Sequence, residues 1–229
     1  MSEVRERAAA PILDLFATAV HRFGSAWADL VTATVALMGL AALPTVIVHK
    51  TGGSLRATIT TAEVAGAIAY FMLLAVVVLR GLPTSPPRTR ILGSAVTAVI
   101  TGLLAFALIR LLGPLAILPM PLLLLAVPAV AAGDRGVLRA FPAGAWLAVR
   151  HFSRTWGVWL LAILFSTPIW VSIALVVLNF SVGATQFVLT FTLAAPIIWP
   201  FSALFIRALY GDLTGRLVVA PEDRSPLKP

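Results

Sequence analysis

Few side chains in this sequence are equipped for chemistry. The titratable set is three histidines, nine carboxylates and a large arginine excess, with no cysteine at all. Thiolate nucleophiles, iron–sulfur ligands, disulfides and Cys-based zinc sites are therefore excluded. No Gly-x-Ser-x-Gly elbow, His-Glu-x-x-His helix, Gly-rich phosphate loop or intramembrane aspartate pair occurs. His21 and His151 would need a third ligand to hold a metal, so no metal, cofactor or catalytic set is expected. What remains is basic and aromatic chemistry in two places: Arg22 with Trp27, and Arg150, His151 and Arg154 with Trp156. Guanidinium groups beside indoles are suited to anionic headgroups at a membrane border, where each cation contributes on the order of 1 kcal/mol.

The elements that must position these residues follow from composition. Of 229 residues, 60% are hydrophobic and 11% charged, with a mean hydropathy of +1.00. Soluble domains carry roughly 25% charge, so the chain reads as a polytopic membrane protein. At ~20 residues per crossing it has room for six spans. Six apolar stretches are predicted at 27–48, 62–82, 91–110, 113–132, 156–178 and 186–209, within a transmembrane domain of 27–209. Residues 1–26 form a cytoplasmic segment with an interfacial helix. Its charges, among them Glu3, Arg5 and Asp14, argue against a cleavable signal peptide. Residues 210–229 are expected to form a cytoplasmic tail, flexible at its end.

Charge placement sets the orientation. With both termini inside, fourteen of the seventeen Lys and Arg residues fall on the inner side, leaving Lys50, Arg56 and Arg110 outside. The positive-inside rule favours that arrangement and an even number of crossings. His49 then lies opposite His21 and His151. Asp29 and Glu63 sit at span ends, and no span carries a carboxylate near its centre, which weighs against proton- or sodium-coupled transport. The net charge of +8 does not point to nucleic acid, because no polar domain exists to present a basic face.

An internal repeat adds to this picture. Ala19-Val20-His21-Arg22-Phe23 and Trp27 match Ala148-Val149-Arg150-His151-Phe152 and Trp156 at an offset of 129, and Leu79–Leu82 echoes Ile206–Leu209 at an offset of 127. The simplest model is a parallel duplication of an interfacial helix plus two crossings, with a hairpin inserted between the copies. At 100° per residue, Arg150, His151 and Arg154 share one side of a helix, and Val149, Phe152 and Trp156 share the other. In the first copy Pro11 is expected at the first helical position and Ile12, Phe16 and Phe23 on the apolar side. Such helices either recognise lipid or partner, or merely anchor the fold; both readings stand.

Packing and kinks supply the rest. Ser94, Ala98 and Gly102, and Ala62 with Gly66, recur every four positions and permit close helix approach. Pro114, Pro119, Pro121 and Pro128 in the fourth stretch, and Pro196 and Pro200 in the sixth, either free carbonyls to line a transport path or simply mark helix starts and satisfied kinks.

The segment Pro200–Arg216, through Leu209, Tyr210, Asp212, Leu213 and Arg216, resembles the closing motif of poorly characterised bacterial six-span proteins similar to the membrane domain associated with glycerophosphodiester phosphodiesterases. Gly211 stands where those proteins have a second tyrosine and Thr214 where they have an arginine. The resemblance implies a six-helix module in a bacterial plasma membrane. It implies no phosphodiesterase chemistry, whose residues lie in a soluble domain that these residues do not contain. Tyr210, Asp212 and Arg216 are expected to form an inner cap, Asp212 and Arg216 being one helical turn apart. The reading overall is an all-α, non-catalytic accessory or scaffold module, bound to anionic lipid on its cytoplasmic side and to a membrane-protein partner or a second copy. The alternative is a transporter-like protein for a neutral or lipidic substrate.

Overall fold

A computed structural model of the chain describes residues 11–82, 84–180 and 184–215, the side chains of 184–188 aside. The expected tail beyond Gly215, including Arg216, lies outside the described residues. Among those described the structure is helical throughout, with no strand.

Eight α-helices follow in order: α1 Ile12–Lys50, α2 Leu55–Arg80, α3 Arg88–Leu112, α4 Pro121–Leu124, α5 Ala126–Ala131, α6 Val137–Arg150, α7 Phe152–Leu178 and α8 Ala184–Thr214, with a 3-10 turn at Gly113–Ile117. Five helical stretches, containing α1, α2, α3, α7 and most of α8, are long and apolar enough to cross a membrane. α1 is two helices joined at a kink, where Ala26 leaves helical geometry at φ −122° and ψ 17°. That kink falls at the expected border between interfacial helix and first span. Pro11 is the residue before the helix rather than its first member.

The fourth apolar stretch is not one helix. A 3-10 turn, a further turn at 118–120 and the short α4 and α5 take its place. Proline explains the breaks. Pro121 has no N–H for the carbonyl of Ile117, and Pro128 has none for that of Leu124 while its ring crowds that carbonyl. Yet this broken segment is the most deeply buried part of the molecule: every residue from Leu124 to Ala131 is buried. α5 ends in a Schellman turn, with Gly133 at φ +82°, its N–H donating to Val130 O and that of Asp134 to Ala129 O.

The surrounding helices approach closely because their facing residues are small. On α3, Ser94, Thr97, Ala98, Thr101, Gly102 and Ala105 form one buried stripe, and the three hydroxyls bond back to Arg90, Gly93 and Thr97 carbonyls at 2.7–2.8 Å. A Cβ at Gly102 would stand 2.7 Å from Ile68 Cα, so α2 and α3 meet backbone to backbone. Gly66 faces α8 instead, where an added Cβ would stand 3.6 Å from Phe191 Cζ, and Ala62 is exposed. The expected Ala62–Gly66 seam is thus not a continuous one, because only one of its members points at a neighbour.

The outward surface is apolar. Leu40, Leu43 and Ile47 on α1 and Leu160, Leu164 and Leu175 on α7 are exposed, as lipid-facing residues must be. Gly102→Ala should force α2 and α3 apart at a cost of about 1–3 kcal/mol, read as a lower melting temperature in detergent. Gly66→Ala, which meets only ordinary contact, should leave it nearly unchanged.

Candidate functional site

The polar groups of the described chain concentrate where helices end. Every fully buried Ser or Thr lies on a membrane-length helix, and among the described residues no Asp, Glu, Lys, Arg or His is fully buried. At one end of the helices Arg110 on α3 pairs with Glu63 on α2 at 2.5 Å and donates to Thr60 at 3.1 Å. Those two charges are half-exposed and hold one hairpin mouth.

The opposite end is more elaborate. α8 brings the buried Tyr210 and the partly buried Asp212 between α7 and the turn after α5. Tyr210 donates to Asp134 Oδ2 at 2.5 Å, and Arg154 on α7 forms an ion pair with Asp212, N to O 2.6 Å. Both members of the ion pair are mostly buried, with side chains 17% and 15% exposed. Tyr210 and Asp212 are thus tied to other elements, to Asp134 and Arg154, while the expected pairing of Asp212 with Arg216 lies outside the described residues.

That pairing corrects the expected grouping of Arg150, His151 and Arg154. The helical periodicity assumed one helix through the segment, whereas His151 breaks it at φ −113° and ψ 44°. Arg150 ends α6 exposed, while Arg154 belongs to α7 and turns toward α8. Trp156 stacks on Phe152 at 4.4 Å and donates its indole N–H to Leu118 O at 3.1 Å. Trp159, one turn on, donates to Ile117 O at 3.0 Å. These are carbonyls of the broken segment, and Ile117 O is the one Pro121 cannot serve. The two indoles take up backbone groups on exposed residues of an apolar segment that would otherwise lack partners.

The first interfacial segment departs from expectation similarly. Phe16 does not face outward; its ring lies 5.3–5.9 Å from those of Phe165, Phe201 and Phe205, edge to face. Leu15 and Ala19 are buried with it. Trp27, by contrast, is 59% exposed just past the kink. On α6 the small residues Ala140, Gly144 and Ala148 are buried, a Cβ at Gly144 reaching 3.0 Å from Ala126 N, and the bulky Leu138, Trp146 and Val149 are exposed.

A cleft of about 540 Å³ opens at the kink of α1, between the ends of α2 and α8. Arg22, Arg80, Arg207, Ser25 and Asp29 line it, with Leu30, Val77 and Leu204 as its apolar wall. Arg207 is fixed there by donating to Val77 O in the last turn of α2 at 3.4 Å and to Gly81 O, just past its end, at 3.1 Å. A methyl group at Gly81 would overlap its guanidinium, so the glycine is what admits it. A smaller cavity of about 270 Å³ lies beside Arg90, Arg135 and Val130. Neither is lined by Pro128 or Pro196. Among the described residues no three His, Asp or Glu side chains gather as a metal site would require.

Comparison with known proteins adds no relative: no family model, no curated protein and no solved structure matches the chain.

Sequence reasoning noticed Arg80 and Arg207 only as repeat landmarks, and missed Asp134, Trp146 and Trp159. A glycine closing an apolar run just before Asp134, and a proline at 121 that strands a carbonyl, were the available signals.

Two measurements test these contacts. Trp159→Phe should cost about 1–3 kcal/mol by stranding Ile117 O, and less in a Pro121→Ala background, where the residue-121 N–H returns. In a double-mutant cycle with Arg154→Gln and Asp212→Asn, thermal unfolding should give a coupling of roughly 0.5–3 kcal/mol; simple additivity would mean that the pair contributes nothing to holding α7 and α8.

Proposed function

We propose that the chain is a non-catalytic six-crossing module of a bacterial plasma membrane, with both ends cytoplasmic, that scaffolds or assists a membrane complex or lipid process through its basic inner side. The broken segment 113–132 serves as the remaining crossing. The observation that carries the reading is the state of that segment: Leu124–Ala131 is buried and the carbonyls of Ile117 and Leu118 are taken by indole donors. A transport path would need those groups turned toward water.

The inner side supports a lipid role. α6 exposes Leu138, Trp146 and Val149 along one stripe, flanked by Arg139 and Arg150, the arrangement of a helix lying in an interface. Trp27, exposed beside Arg22 at the kink, suits the same border. Anionic lipid is the partner this chemistry favours; a membrane protein or a second copy would dock on the apolar outer faces.

Two further parts of the reading have their own support. For a duplication, Ala19 and Ala148, the first residues of the two matched segments, are both fully buried, and each segment leads to a helix break. The breaks, at Ala26 and His151, are not in register. The second landmark pair meets in space, Arg207 resting on Gly81. The likeness of the last helix to the membrane domain associated with glycerophosphodiester phosphodiesterases is consistent with a module of this kind, Tyr210 and Asp212 acting as its inner cap.

Transport is the competing function, and reconstitution separates the two. In liposomes the purified chain should leave labelled lipid and entrapped neutral solute where they were, while gentle extraction from its own membrane should retain a protein or lipid companion. Facilitated movement of either probe would replace the scaffold with a transporter.

A further inference from the structure

We propose that the cleft at the kink of α1 binds one anionic phosphate ester, with Arg22 and Arg80 as its mobile cations and Arg207 as its fixed one. The proposal rests on the reading of this side as the lipid-facing basic side.

Charge is the first argument. Three guanidinium groups and one carboxylate share the cleft, for a net formal charge of +2. Among the described residues none of the three arginines has an ion-pair partner, although Asp29 lines the same space. Like charges gathered at the mouth of an apolar body repel one another, and a bound anion is what relieves them.

Geometry is the second. Arg207 cannot swing away without abandoning the carbonyls of Val77 and Gly81, and its Nε is buried with no hydrogen-bond partner. A cation held in place before the ligand arrives loses little freedom on binding. Arg22 is half-buried and Arg80 exposed, so both can close over a phosphate from the rim. Arginine forks match two phosphate oxygens at once, which lysine cannot do.

The remaining walls narrow the ligand. A volume of about 540 Å³ holds a phosphate with a small polyol and part of an acyl chain. Leu30, Val77 and Leu204 offer an apolar side to the chain, and Asp29 and Ser25 can accept hydrogen bonds from hydroxyls. A phosphodiester headgroup carrying hydroxyls, on a lipid or as a free glycerophosphate, has the right parts.

The test uses the full chain in phosphatidylcholine nanodiscs, with native mass spectrometry to count retained lipid and thermal unfolding to report binding. Added phosphatidylglycerol should be retained at one copy and raise the melting temperature, and Arg22→Gln with Arg80→Gln should weaken it roughly tenfold or more. Arg88→Gln with Arg90→Gln should not. Ser25→Phe, which fills the cleft and removes no charge, should also abolish the shift, and it keeps the test valid if the double variant folds poorly. Competition with glycerol 3-phosphate identifies the source: displacement at equal concentration assigns a soluble ester, and no displacement assigns the lipid. A wild-type chain that retains neither, or retention indifferent to both the double variant and Ser25→Phe, overturns the site while leaving the liposome result on transport untouched.

Discussion

A backbone carbonyl inside a protein surrounded by lipid has no water to turn to, and the whole arrangement of this molecule answers that constraint at one place. Proline at 121 and 128 denies the helix its own donors within a long apolar run of the chain. The break is tolerable only because other elements are brought around it. Trp156 and Trp159 reach it from the start of α7, and α6 presses a glycine against the backbone at Leu125 and Ala126. For those side chains to arrive, α7 must begin where it does, and the chain must break at His151 to let α6 and α7 take different directions. The burial of Leu124–Ala131 and the placement of the second basic segment are one fact seen from two sides.

Helix ends carry the polar work that the interior excludes. α2 ends under the Arg207 guanidinium, α5 ends in a glycine turn whose next residue, Asp134, meets Tyr210, and α7 begins with Arg154 on Asp212. Each contact joins elements far apart in sequence, so together they fix how these ends sit relative to one another. At the opposite end the comparable tie among the described residues is Arg110 with Glu63, and much of α1 beyond Thr34 has little protein packed on it.

Much of the helical plan was legible in the sequence because hydropathy alone dictates it. The ends of α3 and α7 and the small-residue stripe of Ser94, Ala98 and Gly102 follow from local pattern. What escaped depends on partners. Periodicity put Arg154 beside Arg150 because it could not know that the helix stops at His151. It turned Phe16 toward lipid because one helix cannot reveal that Phe165, Phe201 and Phe205 converge on it from α7 and α8. An amphipathic face states that something apolar covers it, and lipid and protein look alike from within the helix. Ala62 shows the converse: a residue small enough to pack need not have anything to pack against.

The position of Arg207 connects these points to function. An arginine near the end of a spanning helix is costly unless its head reaches water or polar atoms. Here two of its donors are taken by Val77 O in the last turn of α2 and by Gly81 O just past it, carbonyls at a helix end that lack intrahelical partners. That bond stabilises a helix end and at the same time commits a positive charge to the cleft beside Arg22 and Arg80. A neutral donor would cap α2 equally well without adding to the repulsion of two neighbouring cations. The choice of a guanidinium at this spot makes structural sense chiefly when a negative group occupies the cleft, so the fold's own capping contact and the proposed ligand explain the same residue.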